Sequence, residues 1–199
     1  MAVTRDRGME RRPFPVRRRL VTGTLRAGHR APAMHGLIQV DVTEAYRLVR
    51  AASPPLSFTS FVVACVGRAV AAHPDVHAYR DWRGRLVIAR HVDIGTMIEV
   101  STKDGPLPLA HLIRDADLRD VADITAEIRA VQANVRSSHS GRLLDRFTPA
   151  AARVPGLIPF FYLMLARSPR MREMCGTVAV TAVGMFGEGG GFGIPPPAF

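Results

Sequence analysis

The sequence predicts an α+β domain in which helices cover one face of a mixed sheet. Segments with strand-like and helix-like patterns follow one another without the regular alternation of a parallel βαβ fold. The chain has 199 residues, of which 47% are hydrophobic and 22% charged, so it is large enough for one domain with a buried core. The sequence contains no internal repeat. These observations favour a folded α+β domain over a repeat protein or a disordered chain.

Two helices and several short strands are expected in the first half of the chain. Thr43 is expected to cap a short helix, and a second helix is expected over residues 57–72. The wide apolar face of that second helix includes Cys65, which is therefore assigned to the core. The pair Arg83-Gly84 predicts a turn. Strands are predicted over residues 36–42, 76–79, 86–89 and 92–100.

One long amphipathic helix dominates the second half. It is expected over residues 115–135, where apolar side chains recur at intervals of three and four residues. Strands are expected over residues 107–113 and 177–183, with a proline-containing helical stretch over 144–174 between them. A glycine-rich loop follows over residues 184–193. It lacks the Gly-Lys-Ser/Thr ending of a phosphate-binding loop, so it is interpreted as a flexible connection.

Positive charge is concentrated at the amino end of the chain. The formal net charge is +10 and the sequence pI is about 11.2, which makes an anionic partner worth considering. Seven arginines crowd residues 5–19, and residues 1–16 are expected to form a basic flexible tail ahead of a domain over residues 17–199. A charge run is more often a solvated segment than a nucleic-acid arm, so nucleic-acid binding is the less favoured interpretation.

Cysteine content and hydropathy favour a soluble cytoplasmic protein. The two cysteines, Cys65 and Cys175, are too far apart in sequence to indicate a metal site or a disulfide framework. The amino end lacks the apolar stretch of a signal peptide. The most hydrophobic segment, residues 154–165, is shorter than the roughly 20 residues that span a bilayer. Neither a metal nor a membrane is therefore expected as a partner.

Four groups of short segments, in their order and spacing, are similar to a known enzyme domain. They are VDVT (40–43); FTSFVV (58–63), HPDV (73–76) and VDIG (92–95); LIRDAD (112–117) and ITAEI (124–128); and GTVAVTAVGMFG (176–187). Each is weak alone, but together they resemble the acyltransferase catalytic domain of 2-oxo-acid dehydrogenase complexes, the dihydrolipoamide acyltransferase family. The resemblance covers residues 17–199 and implies a fold like that of chloramphenicol acetyltransferase.

The resemblance implies an acyl transfer between coenzyme A and the thiol of dihydrolipoamide or a similar small-molecule acceptor. Acyl-coenzyme A would be a substrate, and no permanently bound cofactor is implied. A homotrimer with active sites between subunits is expected, together with a partner protein that carries a lipoyl or acyl group. In this family a histidine acts as general base on the attacking thiol, and a hydroxyl donates a hydrogen bond to the oxyanion of the tetrahedral intermediate.

The resemblance assigns roles to four positions of this chain. Thr181 corresponds to the hydroxyl donor, although a threonine in a strand is also common for structural reasons. Ala182 stands where the family usually has Asn. An arginine that pairs with an aspartate of the catalytic motif would correspond to Arg18, while Gly184 and Met185 would lie near the substrate channel.

The catalytic histidine of the family belongs to a His-x-x-x-Asp-Gly motif beyond the glycine-rich loop. This sequence has no residues there, and the domain is therefore expected to be incomplete at its carboxyl end. The segment from His111 to Asp115 imitates the motif, but Ala116 replaces its glycine, so this segment is rejected. Whether the chain is an active enzyme thus stays open. The alternative is a catalytically inactive scaffold or regulatory relative that assembles with a full-length acyltransferase.

Overall fold

A computed structural model describes residues 34–102, 105–134 and 176–182, together with Thr22, Ser138, Phe160, Met164, Ser168 and Glu173. The helices are α1 (Thr43–Ala51), α2 (Phe58–Ala72) and α3 (Val121–Ala133), with a short 3-10 helix over Pro74–His77. The strands are β1 (Tyr79–Arg80), β2 (Leu86–Val87), β3 (Ile94–Thr102), β4 (Gly105–Ile113) and β5 (Val178–Val180). The expected tail over residues 1–16 and the glycine-rich loop lie outside the described residues, as does most of the stretch 144–174.

The second helix begins where the sequence predicts it. Ser57 is its N-cap, and the side chain of Ser57 accepts a hydrogen bond from the backbone N–H of Ser60. The buried positions recur at intervals of three and four residues and are Ser60, Val63, Ala64, Gly67 and Val70. Cys65 is exposed, so its assignment to the core was wrong. At about 100° per residue, it points away from the stripe that Val63 and Gly67 define, although its neighbours in sequence are apolar.

The main sheet is mixed, with strand order β4-β3-β5. Strands β3 and β4 form an antiparallel pair in which Ile94 lies opposite Ile113. Strand β5 pairs in parallel with β3, with Val178 opposite Ile94 and Val180 opposite Thr96. Strands β1 and β2 form a separate hairpin, and the predicted turn is present between them.

The core lies between helices α2 and α3 and one face of the sheet. Helix α3 packs against both α2 and β3. The side chains of the buried cluster are Val63, Ala64, Val70, Val92, Ile94, Ile98, Val100, Leu109, Ile113, Ala116, Ile124, Ile128 and Val131. The opposite face of the sheet is open in the described part, because Met97, Glu99 and Ala110 are exposed. The expectation of a mixed sheet with helices on one face is confirmed.

Four predictions of secondary structure were wrong in part. Thr43 is the first residue of α1 and not its cap, because the N-cap is Val42. Residues 36–42 form no strand: they are exposed, and Ile38 and Val40 retain 85% and 65% of their accessible surface. Alternation alone makes no strand, because a strand needs backbone partners. Most of the strand predicted over 76–79 is the 3-10 helix, and only Tyr79 belongs to β1. Helix α3 begins at Val121 instead of Asp115, since Asp115 has a positive φ that a helix cannot contain.

Candidate active site

Two segments that are distant along the chain are hydrogen-bonded to each other at one corner of the sheet. Asp93, just before β3, accepts hydrogen bonds from the backbone N–H of Asp115 at 3.0 Å and from Arg114 Nη1 at 3.2 Å. In return, Asp117 Oδ1 accepts a hydrogen bond from the backbone N–H of Val92 at 3.0 Å. The VDIG and LIRDAD segments are therefore joined by reciprocal side-chain to backbone bonds, and both carboxylates are used in the architecture.

The turn after β4 has an unusual backbone and a tight packing contact. Asp115 has a φ of +51°, in the left-handed region where Asp is tolerated better than most residues. Ala116 is fully buried, and its N–H donates to the Val92 carbonyl at 2.9 Å. A Cβ at Gly67 would lie 2.8 Å from the Ala116 carbonyl carbon and oxygen. Helix α2 thus packs against this turn because Gly67 has no side chain.

The beginning of β5 is anchored to the same corner. Gly176 has a φ of +74°, and a Cβ there would lie 2.6 Å from the Asp93 carbonyl oxygen and 2.8 Å from Leu112 Cδ1. Only glycine therefore fits both the backbone conformation and the space. The next residue, Thr177, lies with its Oγ1 2.8 Å from Nδ1 of His77, a buried side chain at the end of the 3-10 helix. Strand β5 consequently starts from a fixed position.

Thr181 follows β5 directly and is exposed. Val178 and Val180 pack against the core, so the alternation of the strand directs Ala179 and then Thr181 to the opposite, open face of the sheet. Met97, on β3, is 46% exposed on the same open face. A hydroxyl at this position is accessible to a substrate, while the three residues before it are held by the sheet.

The other three residues to which the resemblance assigns a role lie outside the part of the chain that the structure describes. They are Arg18, Gly184 and Met185. Ala182 is described, and it is exposed next to Thr181. The roles that the resemblance implies for these positions, and for Thr181 itself, stay predictions.

A second polar cluster lies on the covered face of the sheet, and the sequence analysis missed it. His111 in β4 is 7% exposed, with its Nδ1 2.9 Å from Ser138 Oγ and its Nε2 2.7 Å from Glu127 Oε1. Arg119 donates to the other carboxylate oxygen of Glu127. The signal that could have found His111 was the alternation of β4, which places it between two inward-facing apolar residues, Leu109 and Ile113.

This cluster is built for structure and not for nucleophilic catalysis. The hydrogen bond with His111 lowers the pKa of Glu127, with Arg119 adding to the effect against the opposing influence of burial. Ser138 contacts a histidine that contacts a carboxylate, which imitates a nucleophile with its base. The hydroxyl of Ser138 is fully buried, however, and cannot meet a substrate. The cluster instead connects β4, α3 and Ser138.

The described residues form neither a metal site nor a membrane-spanning helix. Within the described ranges, no group of three His, Cys, Asp or Glu side chains is arranged to hold a metal ion. None of the described helices combines the length and apolar character needed to cross a bilayer.

Comparison with protein families gives one match. The family model for the catalytic domain of the 2-oxoacid dehydrogenase acyltransferases matches residues 7–142. This range is more than half of the chain, and it contains the first three groups of segments but ends before β5 and Thr181. Among curated proteins, none matches the chain at a significant level.

Several solved structures share the fold. Dihydrolipoamide acetyltransferase from Azotobacter vinelandii is 22% identical, covering 67% of this chain and 57% of that chain with a TM-score of 0.56. A truncated catalytic core of the 2-oxoacid dehydrogenase multienzyme complex from Thermoplasma acidophilum is 22% identical, covering 65% and 60% with a TM-score of 0.51. A probable dihydrolipoamide acetyltransferase from Listeria monocytogenes is 18% identical, covering 95% and 70% with a TM-score of 0.60.

These identities support a conclusion about the fold alone. The predicted α+β fold, like that of the acyltransferase catalytic cores, is confirmed. The chain spans 57% and 60% of the length of the first two of these structures.

Proposed function

The chain belongs to the 2-oxoacid dehydrogenase acyltransferase family, catalytic domain, and from that premise we propose that it moves an acyl group between coenzyme A and a thiol acceptor similar to dihydrolipoamide. The observation that carries the proposal is Thr181, an exposed hydroxyl at the end of a strand whose start is fixed by Gly176 and Thr177. Such anchoring is what an oxyanion donor requires, because a donor stabilises a transition state only when it is held in place beforehand.

In the proposed reaction, the acceptor thiol attacks the thioester carbonyl carbon of acyl-coenzyme A. A carbon–sulfur bond to the acceptor forms, the carbonyl oxygen becomes an oxyanion, and the tetrahedral intermediate collapses by expelling the coenzyme A thiolate. Thr181 donates a hydrogen bond from its hydroxyl group to the oxyanion, and no covalent enzyme intermediate is needed. In the family a histidine accepts the thiol proton. The proposal concerns the other half of the site, the hydroxyl donor.

We also propose a homotrimer in the cytoplasm that works with a partner protein carrying a lipoyl or acyl group. One of the structures with this fold is described as the catalytic core of a multienzyme complex, which supports an assembled state. The net charge of +10 is favourable for coenzyme A, whose phosphates are anionic. Sedimentation of the purified chain tests the trimer independently of activity.

The catalytic test is thiol release from acetyl-coenzyme A with dihydrolipoamide as acceptor. We expect Thr181→Ala to lower kcat by about a hundredfold, because removing one oxyanion donor typically has an effect of that size. Thr181→Ser keeps the hydroxyl and is the matched control, with kcat expected within several-fold of the parent. Full turnover by Thr181→Ala refutes the role of Thr181. A folded parent trimer without turnover supports the inactive scaffold instead.

A further inference from the structure

The β1–β2 hairpin carries a rigid tip that the acyltransferase chemistry does not use. Asp81 holds the tip from within: its Oδ1 accepts hydrogen bonds from the backbone N–H groups of Arg83 and Arg85 at 2.9 and 2.8 Å. Its Oδ2 accepts from Arg85 Nε at 2.8 Å, and its side chain is only 3% exposed. Gly84, with a φ of +81°, closes the turn. The tip is therefore ordered before any partner arrives.

The side chain of Trp82 is exposed at this tip. It is the single tryptophan of the chain and is 69% exposed. The Arg83 guanidinium lies over its ring, 4.6 Å from the centroid, so the indole and the charge form one unit. Leu86 is 66% exposed, and its cross-strand partner Arg80 is exposed beside it. Scattered exposed apolar residues are ordinary, but here an exposed Trp and an exposed Leu belong to one short hairpin.

The hairpin is strongly positive. Four arginines fall within residues 80–90, namely Arg80, Arg83, Arg85 and Arg90, against the single acidic residue Asp81. The Asp81 carboxylate is already satisfied by Arg85 and backbone N–H groups, and these contacts lower the pKa of Asp81 and keep it ionised. In the ranges that the structure describes, Arg80, Arg83 and Arg90 form no ion pair. Their guanidinium groups are available to carboxylates, which they can bind through two parallel hydrogen bonds.

We propose that this hairpin is a docking site for an acidic segment of a partner protein, with Trp82 and Leu86 contacting an apolar side chain and the arginines binding flanking carboxylates. Trp and Arg are the residues that most often dominate the energy of protein interfaces. A projecting turn encloses too little of a small ligand to bind it, since such sites are concave. The tip therefore fits a macromolecule, and the exposed apolar side chains of Trp82 and Leu86 among the arginines favour an acidic protein segment that carries an apolar residue. The inference is independent of the acyl transfer at Thr181.

Trp82 itself reports on the proposed contact, because no other tryptophan contributes to the emission. The probe is a short synthetic peptide rich in Glu and Asp that contains one Leu and no aromatic residue. We expect it to change the Trp82 emission saturably, with an affinity that weakens as salt is added. Peptides of neutral and basic composition, a single-stranded oligonucleotide and vesicles of anionic lipid are expected to have little effect.

Two matched double variants test whether the arginines of the hairpin, and not arginines elsewhere, contribute to peptide binding. Arg80→Gln with Arg83→Gln is expected to weaken peptide binding about tenfold or more, as the loss of central interface arginines does. The turn should survive, because Arg83 contributes only its backbone N–H to Asp81. Arg47→Gln with Arg50→Gln removes the same charge from α1 and is expected to change binding less than about twofold.

Four results would overturn the proposal. They are no saturable emission change in the parent, equal weakening by the two double variants, no weakening by the hairpin pair, and a larger emission change with the oligonucleotide or the vesicles than with the acidic peptide. The variant Trp82→Phe is tested separately, with a fluorescently labelled acidic peptide whose binding is followed by anisotropy. We expect this variant to bind the peptide more weakly than the parent, and an unchanged affinity would count against the site.

Discussion

At the scale of single residues, the most informative positions are those where neighbouring backbone atoms leave room only for glycine. Gly67 lies in the middle of α2, where alanine would ordinarily be preferred by roughly 1 kcal/mol. The close approach of Ala116 reverses that preference, because backbone atoms occupy the space that a Cβ would need. Sequence patterning cannot reveal such a requirement. The residue that excludes the side chain is 49 positions away along the chain (116 − 67).

We expect Gly67→Ala to destabilise the protein. The gain in helix propensity is smaller than the cost of forcing α2 away from the turn, and overpacking typically costs about 1–3 kcal/mol. The free energy of unfolding, measured by urea denaturation, should fall by about 2 kcal/mol. Gly36→Ala is the matched control, because nothing lies within 4 Å of a Cβ at Gly36. A Gly67→Ala protein as stable as the parent would refute the close contact.

At the scale of elements, helices were predicted better than strands. The start of α2 was predicted to within one residue, because the Ser57 cap and the apolar spacing are local signals. The segment 36–42 is β-branched and partly alternating, but it pairs with no strand in the described part. Strand formation depends on a second segment, which the alternation of the first does not specify. The start of α3 was missed because the helix is capped by Asp120, whose side chain accepts a hydrogen bond from the backbone N–H of Asp123 at 2.7 Å.

Strand β4 and helix α3 are connected through His111 and Glu127, which gives this contact a defined dependence on pH. The pKa of Glu127 is lowered in the folded protein, first by the hydrogen bond with His111. A carboxyl with a lowered folded pKa contributes stability that is fully present above its unfolded value, here 4.5. That contribution is lost as the pH falls through the lower folded value.

We therefore expect Glu127→Gln to reduce the free energy of unfolding at pH 7 by about 1–3 kcal/mol, the usual effect of removing a partly buried charged partner. The difference from the parent should narrow as the pH falls below 4.5. Glu44→Gln is the control: Glu44 is also paired with an arginine, Arg47, but both side chains are largely exposed. The free energy of unfolding of Glu44→Gln should match that of the parent both at pH 7 and below pH 4.5. A Glu127→Gln deficit that does not depend on pH would contradict the ionic contact.

At the scale of the whole molecule, the VDIG and LIRDAD segments and the start of the fourth group together assemble one corner of the sheet. The sequence identified them as part of a family pattern, and the family is confirmed by the match over residues 7–142, which ends before the fourth group. The sequence did not reveal that Asp93 and Asp117 accept hydrogen bonds from backbone and side-chain groups that are 21 to 25 positions away. The candidate site was therefore predicted at Thr181, whereas the reason for its location, the anchoring of β5, required the three-dimensional arrangement.

The bond between His77 and Thr177 joins residues 100 positions apart and holds β5 to the rest of the fold. Thr177→Val keeps the shape of the side chain but removes the hydroxyl. We expect it to speed amide hydrogen exchange in a peptide covering residues 178–182, because β5 is short and a lost anchor lets it open locally. Exchange in α3 should stay unchanged, since no contact of that helix is altered.

Thr177→Ser retains the hydroxyl, so its exchange in β5 should match the parent. If exchange accelerated equally in β5 and α3, the hydroxyl would support global stability and not the local position of the strand. If exchange in β5 were unchanged in Thr177→Val, Gly176 and the pairing with β3 would suffice to place Thr181, and His77 would have no part in positioning it. Local acceleration confined to β5 is the result that connects the corner to the candidate site, because Thr181 can act as a donor only from a strand that is held still.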